Sequence, residues 1–415
     1  MAIIKPFKGF RVKKELARRV ASRPYDVITS AEAREEAKDN PYSFLHVIKP
    51  EIDLPVDTDP YSSEVYEKGR ENLENLIKKG ILVQDTEPCF YIYAQTFESR
   101  TQYGILGCAH INDYINKNIK EHELTRPDKE NDRINLIKHH NFHAEPVFFA
   151  YRDNAEINRI VDEIVKEDPE YNFVADDGIG HQLWVVSELE TVSRIEEIFR
   201  KDVPYTYVAD GHHRTAAAAK TALSRKQYNP GHTGEEEYNY FMAVHFPASQ
   251  LKIIDYNRVI KDLNGNTPAR FIEKLTESFD IEEKGEDEYK PSRLHELSMY
   301  IDGKWYSMTS REGTFNDNDP IDCLDVTILS KQVLDPILNI TDLRKSKRID
   351  FVGGVRGLGE LKRRVDSGEM KAAFALYPVT MQQLINIADT KNIMPPKTTW
   401  FEPKLRSGLV LHHLG

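Results

Sequence analysis

"VADGHHRTAAAAKTA", residues 208–222, decides how the chain is read. An apolar strand, YTYVAD at 205–210, runs into a glycine, and an alanine-rich stretch of strong helix formers follows at 214–226. Gly211 permits the backbone angles of a tight turn. The first turn of a helix presents unpaired N–H groups at the positive end of its dipole, so a glycine there lets phosphate come close. His212, His213 and Arg214 add side-chain donors, and a guanidinium suits two-point contact with phosphoryl oxygens. Asp210, just before the glycine, is a candidate ligand for Mg²⁺ bridging those oxygens. The plainer alternative is an Asp helix cap beside incidental surface histidines.

Around this turn, helix and strand patterns alternate. Thr29-Ser30-Ala31-Glu32 reads as a capping box opening a helix to about Asp39, and residues 64–79 form an amphipathic helix closed by Gly80. Aromatic and β-branched runs at 89–97, 103–111, 146–152 and 181–186 read as strands, with helices expected at 154–167 and 189–200. YIDGKWYSM, 300–308, reads as a hairpin turning on Asp302-Gly303. The polar segments 226–237 and 284–293 read as surface loops, the second as a subdomain edge. Mixed strands with interspersed helices predict an α+β or mixed α/β fold rather than a regular doubly wound sheet.

Composition narrows the function classes. At 415 residues the chain is too long for one small core. A hydrophobic content of 40% with 30% charged residues fits a globular protein. A net charge of −11 argues against nucleic acid or an anionic membrane as the main partner. Cys89, Cys108 and Cys323 are scattered, without a C-x-x-C pair, so neither a disulfide framework nor a zinc ribbon is indicated. His139, His140 and His143 lack the second spaced pair a zinc site needs. Neither a signal-peptide core nor a membrane-length apolar run is visible, so a cytoplasmic setting is expected. The oligomeric state is left open, a homodimer included.

The DGHHR turn resembles the phosphate-binding turn of the ParB/sulfiredoxin superfamily, in the spelling of free-serine kinases. KEHELTRPDKENDRINLI (120–137) resembles the His-Glu segment that carries those kinases' catalytic glutamate. Residues 368–405, with the run Pro396-Lys397-Thr398-Thr399, resemble their C-terminal strand–helix–loop. In length, and in PYDVI, NPYSFLHV and HELT, the chain also resembles a larger bacterial family of unassigned function, about 400 residues long. The resemblance implies an N-terminal extension (1–85), a ParB/sulfiredoxin-like core (86–240) with an insertion at about 145–200, and a C-terminal α/β substrate-binding subdomain (241–415).

It also implies roles. Glu123 is the candidate base and His213 its catalytic companion, with Gly211, His212, His213 and Arg214 as the phosphate cradle. His122 and Thr125 flank the glutamate within reach of phosphate, although Thr125 equally suits a cap. Arg133 reads either as a phosphate ligand or as one half of an ion pair. Lys397, Thr398 and Thr399 are implied to hold the serine substrate, with Lys404 a weaker candidate. Asp26, in an X-Pro turn, and His46 are further candidate ligands, or turn residues. Glycine-rich VGGVRGLGELKRR (352–364) lacks both G-x-G-x-x-G and G-K-[ST], so no nucleotide fingerprint is present.

The expected activity is phosphorylation of free L-serine to O-phosphoserine, with ADP, ATP or pyrophosphate as donor and Mg²⁺ as cofactor. The same residues would serve a phosphoserine phosphatase whose glutamate activates water. A nucleotide-binding ParB-like regulator is the reading from another class, and the acidity of the chain counts against its DNA-binding form. Sulfiredoxin-type thiol chemistry is excluded at the turn, where Gly211 and His212 stand instead of cysteine.

Overall fold

The strand that feeds the turn, Thr206–Asp210, lies inside a nine-stranded mixed sheet. A computed structural model describes residues 1–415. The strands run in the order Ile119–Lys120, Thr206–Asp210, Val147–Tyr151, Tyr240–Pro247, Arg100–His110, Phe90–Phe97, Gly180–Val186 and Tyr171–Val174, with Ile4–Lys5 added against Arg100–His110. Both parallel and antiparallel ladders occur, so the fold is mixed α+β.

One pairing positions the site. Thr206–Asp210 runs parallel to Ile119–Lys120, with Thr206 opposite Ile119 and Tyr207 opposite Lys120. Parallel neighbours leave a sheet at the same edge, so His122-Glu123 and Gly211-His212 emerge side by side.

Helices Ala155–Ile164 and Leu189–Asp202 bury Ile157, Val161, Ile195 and Phe199 against Phe90, Ile92 and Trp184. A second core joins Ala217, Ala218 and Ala222 of helix His212–Tyr228 to Val147, Phe149, Val208 and Phe241. Alanines 216–219 are all buried, so their small side chains let this helix pack closely from several sides at once.

The chain divides into two compact units, residues 1–251 with 403–415, and residues 252–402. This differs from the three segments expected from sequence. Residues 1–85 are built into the first unit, because Phe10–Val12 pairs with both Leu82–Gln84 and Val410–His413. Of the expected insertion at 145–200, Val147–Tyr151 is an interior strand of the sheet, and the excursion proper is the two helices after it with strands Gly180–Val186 and Tyr171–Val174, the second of them at the sheet edge.

The second unit has a six-stranded antiparallel sheet in the order Phe279–Gly285, Lys304–Ser310, Glu296–Ile301, Ala372–Leu376, Tyr256–Ile260 and Ile349–Gly353. Asp302 and Gly303 turn the hairpin with φ of 50° and 79°, as the two-residue loop predicts. The loop at 284–293 connects two strands of this unit, so it lies inside the unit and marks no edge. The glycine-rich segment passes from strand Ile349–Gly353 into helix Gly357–Asp366.

Candidate active site

Gly211 has φ 98° and ψ 32°, a left-handed conformation, and helix His212–Tyr228 starts immediately after it without a side-chain cap. A Cβ on Gly211 would lie 3.1 Å from Arg214 Nε, so the guanidinium rests where any other residue's side chain would begin. Gly211→Ala is therefore expected to lose about 1–3 kcal/mol of stability from the positive φ. Thermal unfolding measures that loss.

The guanidinium of Arg214 is buried; Nη1 donates to Pro146 O at 2.5 Å and Nη2 to Asp210 Oδ2 at 3.3 Å. Nε is buried with no acceptor in the chain. Burial opposes the charge on Arg214, but Asp210 and Asp26 outweigh it and hold the guanidinium protonated. Asp210 also faces Lys404 Nζ at 3.6 Å. Burial would raise its carboxyl, yet Lys404 and Arg214 bring it below the usual carboxylate range.

Asp210 is thus the counter-ion of two cations. No group of three or more His, Cys, Asp or Glu side chains gathers here to hold a metal. One carboxylate can hold Mg²⁺ only together with phosphate oxygens and water, so the structure shows Asp210 as a charge partner and its expected metal role depends on a bound phosphate.

Across from the turn, Glu123 Oε2 lies 4.0 Å from His212 Nδ1, and the Glu123 side chain is 38% exposed. His122 and His212 meet edge to face, with ring centroids 4.6 Å apart. Burial drives His122 down to about 4 and His212 well below the ordinary histidine value, so both rings are neutral near pH 7. His213 Nε2 accepts the Arg126 backbone N–H at 3.1 Å, which assigns its proton to Nδ1. Burial also lowers His213, against the opposing pull of Asp26 and Glu130.

Two expected phosphate ligands are committed elsewhere. Arg133 is buried between Asp132 and Glu145, 2.8 Å from each, and its guanidinium lies 3.7 Å from the Tyr25 ring centroid. The structure therefore shows the ion pair rather than the phosphate ligand. Glu145 also accepts the Tyr25 backbone N–H at 3.2 Å, so this cluster anchors the turn that carries Asp26. Thr125 donates to Glu130, which also pairs with Lys220, so its hydroxyl serves the start of helix Pro127–His140.

Asp26 is exposed and acts electrostatically on both His213 and Arg214. His46 is held by Asp53 at 2.7 Å and by Asn40 O at 3.2 Å, in a separate cleft of the first unit. Its expected place in the turn site is corrected accordingly. Lys397, Thr398 and Thr399 belong to the second unit. There Lys397 O accepts from Arg258 Nη2 at 3.0 Å, and the buried Thr398 donates to Pro395 O at 2.6 Å.

Lys404 is the residue that sequence reading undervalued. Its backbone carbonyl accepts Gln95 Nε2 at 2.9 Å, which fixes the segment beside Asp210. Its one visible signal was a lysine next to the Pro-Lys-Thr-Thr loop.

Residues 4–327 match the family described as "Protein of unknown function (DUF1015)". The chain belongs to the DUF1015 family. No curated protein matches this DUF1015 chain. Among solved structures it resembles a free serine kinase in complex with AMP, at 13% identity and TM-score 0.34, over 72% of this chain and 86% of that one. It also resembles a conserved hypothetical protein from Pyrococcus furiosus, at 14% identity and TM-score 0.34, over 73% and 93% of the two chains. A third likeness is to C-terminally truncated SbnI from Staphylococcus aureus, at 9% identity and TM-score 0.38, over 73% and 85%. No helix of the DUF1015 chain is long and apolar enough to cross a membrane.

Proposed function

We propose that the chain is a phosphotransferase with a ParB/sulfiredoxin-like core that phosphorylates free L-serine to O-phospho-L-serine, with ADP, ATP or pyrophosphate as donor. The observation that carries this reading is the 4.0 Å separation between the Glu123 carboxylate and His212, the first residue of an uncapped helix. A base thus faces an anion cradle, the pairing that phosphoryl transfer to a hydroxyl needs. Glu123 takes the proton from the serine hydroxyl as its oxygen bonds to phosphorus, and the bond to the donor's leaving oxygen breaks.

The first-turn amides, the Nδ1–H of His213 and the charge of Arg214 offset the negative charge on the phosphoryl oxygens. Neutral His212 and His122 keep the cradle from binding the Glu123 carboxylate as a permanent ion pair.

A phosphoserine phosphatase is the second reading, favoured by the 38% exposure of Glu123, which admits water to the base. A matrix of ADP, ATP and pyrophosphate against serine, threonine and homoserine, read as phosphoamino acid formed, tests the kinase. Transfer to serine from one of these donors is the expected result. Release of orthophosphate from phosphoserine without any acceptor would instead make the chain a phosphatase. Neither activity would end both readings.

A further inference from the structure

The cleft that holds His46 has a construction of its own, separate from the turn. It is a cavity of about 710 Å³ in the first unit, walled by the Lys13–Leu16 segment, the Pro41–Ser43 turn and the last turns of helix Ser63–Lys78. Its size is that of a site for a small metabolite.

The floor is a closed set of polar contacts. His46 Nδ1 donates to Asp53 Oδ1 at 2.7 Å and Nε2 faces Asn40 O at 3.2 Å, so both ring nitrogens meet acceptors, a contact set that favours the imidazolium. The hydrogen bond to Asp53 raises His46 above its ordinary value, which agrees with that state. The second oxygen of Asp53 accepts Asn72 Nδ2 at 2.7 Å, and the same amide donates to His46 O at 2.7 Å. Asp53 is therefore spent inside the floor, and its charge is matched by His46.

The rim is different. Lys13 and Lys79 line the cleft, are exposed and make no ion pair. Their neighbours do: Lys78 pairs with Glu74 at 3.0 Å and Lys49 with Glu51 at 3.1 Å. Glu15 is the remaining acid on the lining, so two lysines stand against one carboxylate. In a chain of net charge −11 this is a local positive surplus inside a concave surface. Leu16 and Leu76 supply apolar wall between the charged groups.

We propose that this cleft is a second binding site, for a small organic anion whose carboxylate or phosphate is held by Lys13 and Lys79 and whose apolar body lies on Leu16 and Leu76. Exclusion of water by the body strengthens the contacts to the two ammonium groups, while the satisfied floor makes no demand on the ligand.

Isothermal titration of the full chain with phenyl phosphate and with benzoate tests this. The expected result is a binding step for at least one probe that weakens about tenfold or more in the Lys13→Ala, Lys79→Ala double variant and survives in His213→Ala. Both lysines are exposed, so the double variant should fold, and its unchanged melting temperature is the control. Stronger binding of phenyl phosphate would assign a phosphate ligand, and stronger binding of benzoate a carboxylate. No binding step at millimolar probe, or a step that the double variant leaves unchanged, overturns the proposal. So does a step lost in His213→Ala alone, which would place the anion at the turn.

Discussion

Glu123→Gln is expected to lower turnover with serine by about 10²–10⁴-fold, the range a positioned base contributes. The amide keeps the shape of the side chain but cannot take the hydroxyl proton. Glu123 is 38% exposed and lies outside every buried core, so the loss should come without a change in melting temperature. The cradle is untouched by the change, so affinity for the donor should stay within a few-fold, leaving the effect in kcat rather than KM. Turnover that survives within a few-fold of the parent would remove the base assignment, whatever the reaction proves to be. The same variant assayed for orthophosphate release from phosphoserine should lose that activity in parallel, because water and serine need the same proton acceptor.

Arg133→Met should act on stability instead. The guanidinium is buried and holds Asp132 and Glu145, each 2.8 Å away and themselves nearly enclosed. Removing it strands two buried carboxylates, and breaking a buried pair from one side costs about 3–5 kcal/mol. Urea unfolding of the two proteins measures the difference. A fall in melting temperature of roughly 10 °C is the matching thermal result. Arg133→Lys should recover only part, since an ammonium cannot span two carboxylates and a tyrosine face together. Were Arg133 a phosphate ligand, the methionine variant would instead keep its stability and bind donor poorly.

These two residues show where sequence reading succeeds and where it stops. The strand–glycine–helix passage at 206–228 was legible because its signals are local: β-branched residues, a glycine and then strong helix formers. The capping box at Thr29 and Glu32 was legible for the same reason, and both of its hydrogen bonds are formed. The proximity of Glu123 to that turn depends on strand Ile119–Lys120, which is only two residues long. No periodicity can announce so short a strand. In the sequence only the resemblance to the serine kinases brings the two segments together.

Arg133 left two readings open, because a charge-dense helix looks alike whether its partners are solvent or a buried Glu145 twelve positions on. Lys404 is a weak candidate in the sequence because its contact with Asp210 spans nearly half the chain. The Asn40-Pro41 turn before His46 carries no information about which cleft it borders.

Residues 403–415 return to the first unit after the whole of 252–402 has been laid down, and they bring Lys404 to Asp210 and a strand to Phe10–Val12. During synthesis residues 252–402 therefore emerge before the pieces that finish the first unit. Until then the nascent chain carries an Asp210–Arg214 pair short of one cation and a Phe10–Val12 strand with an open edge.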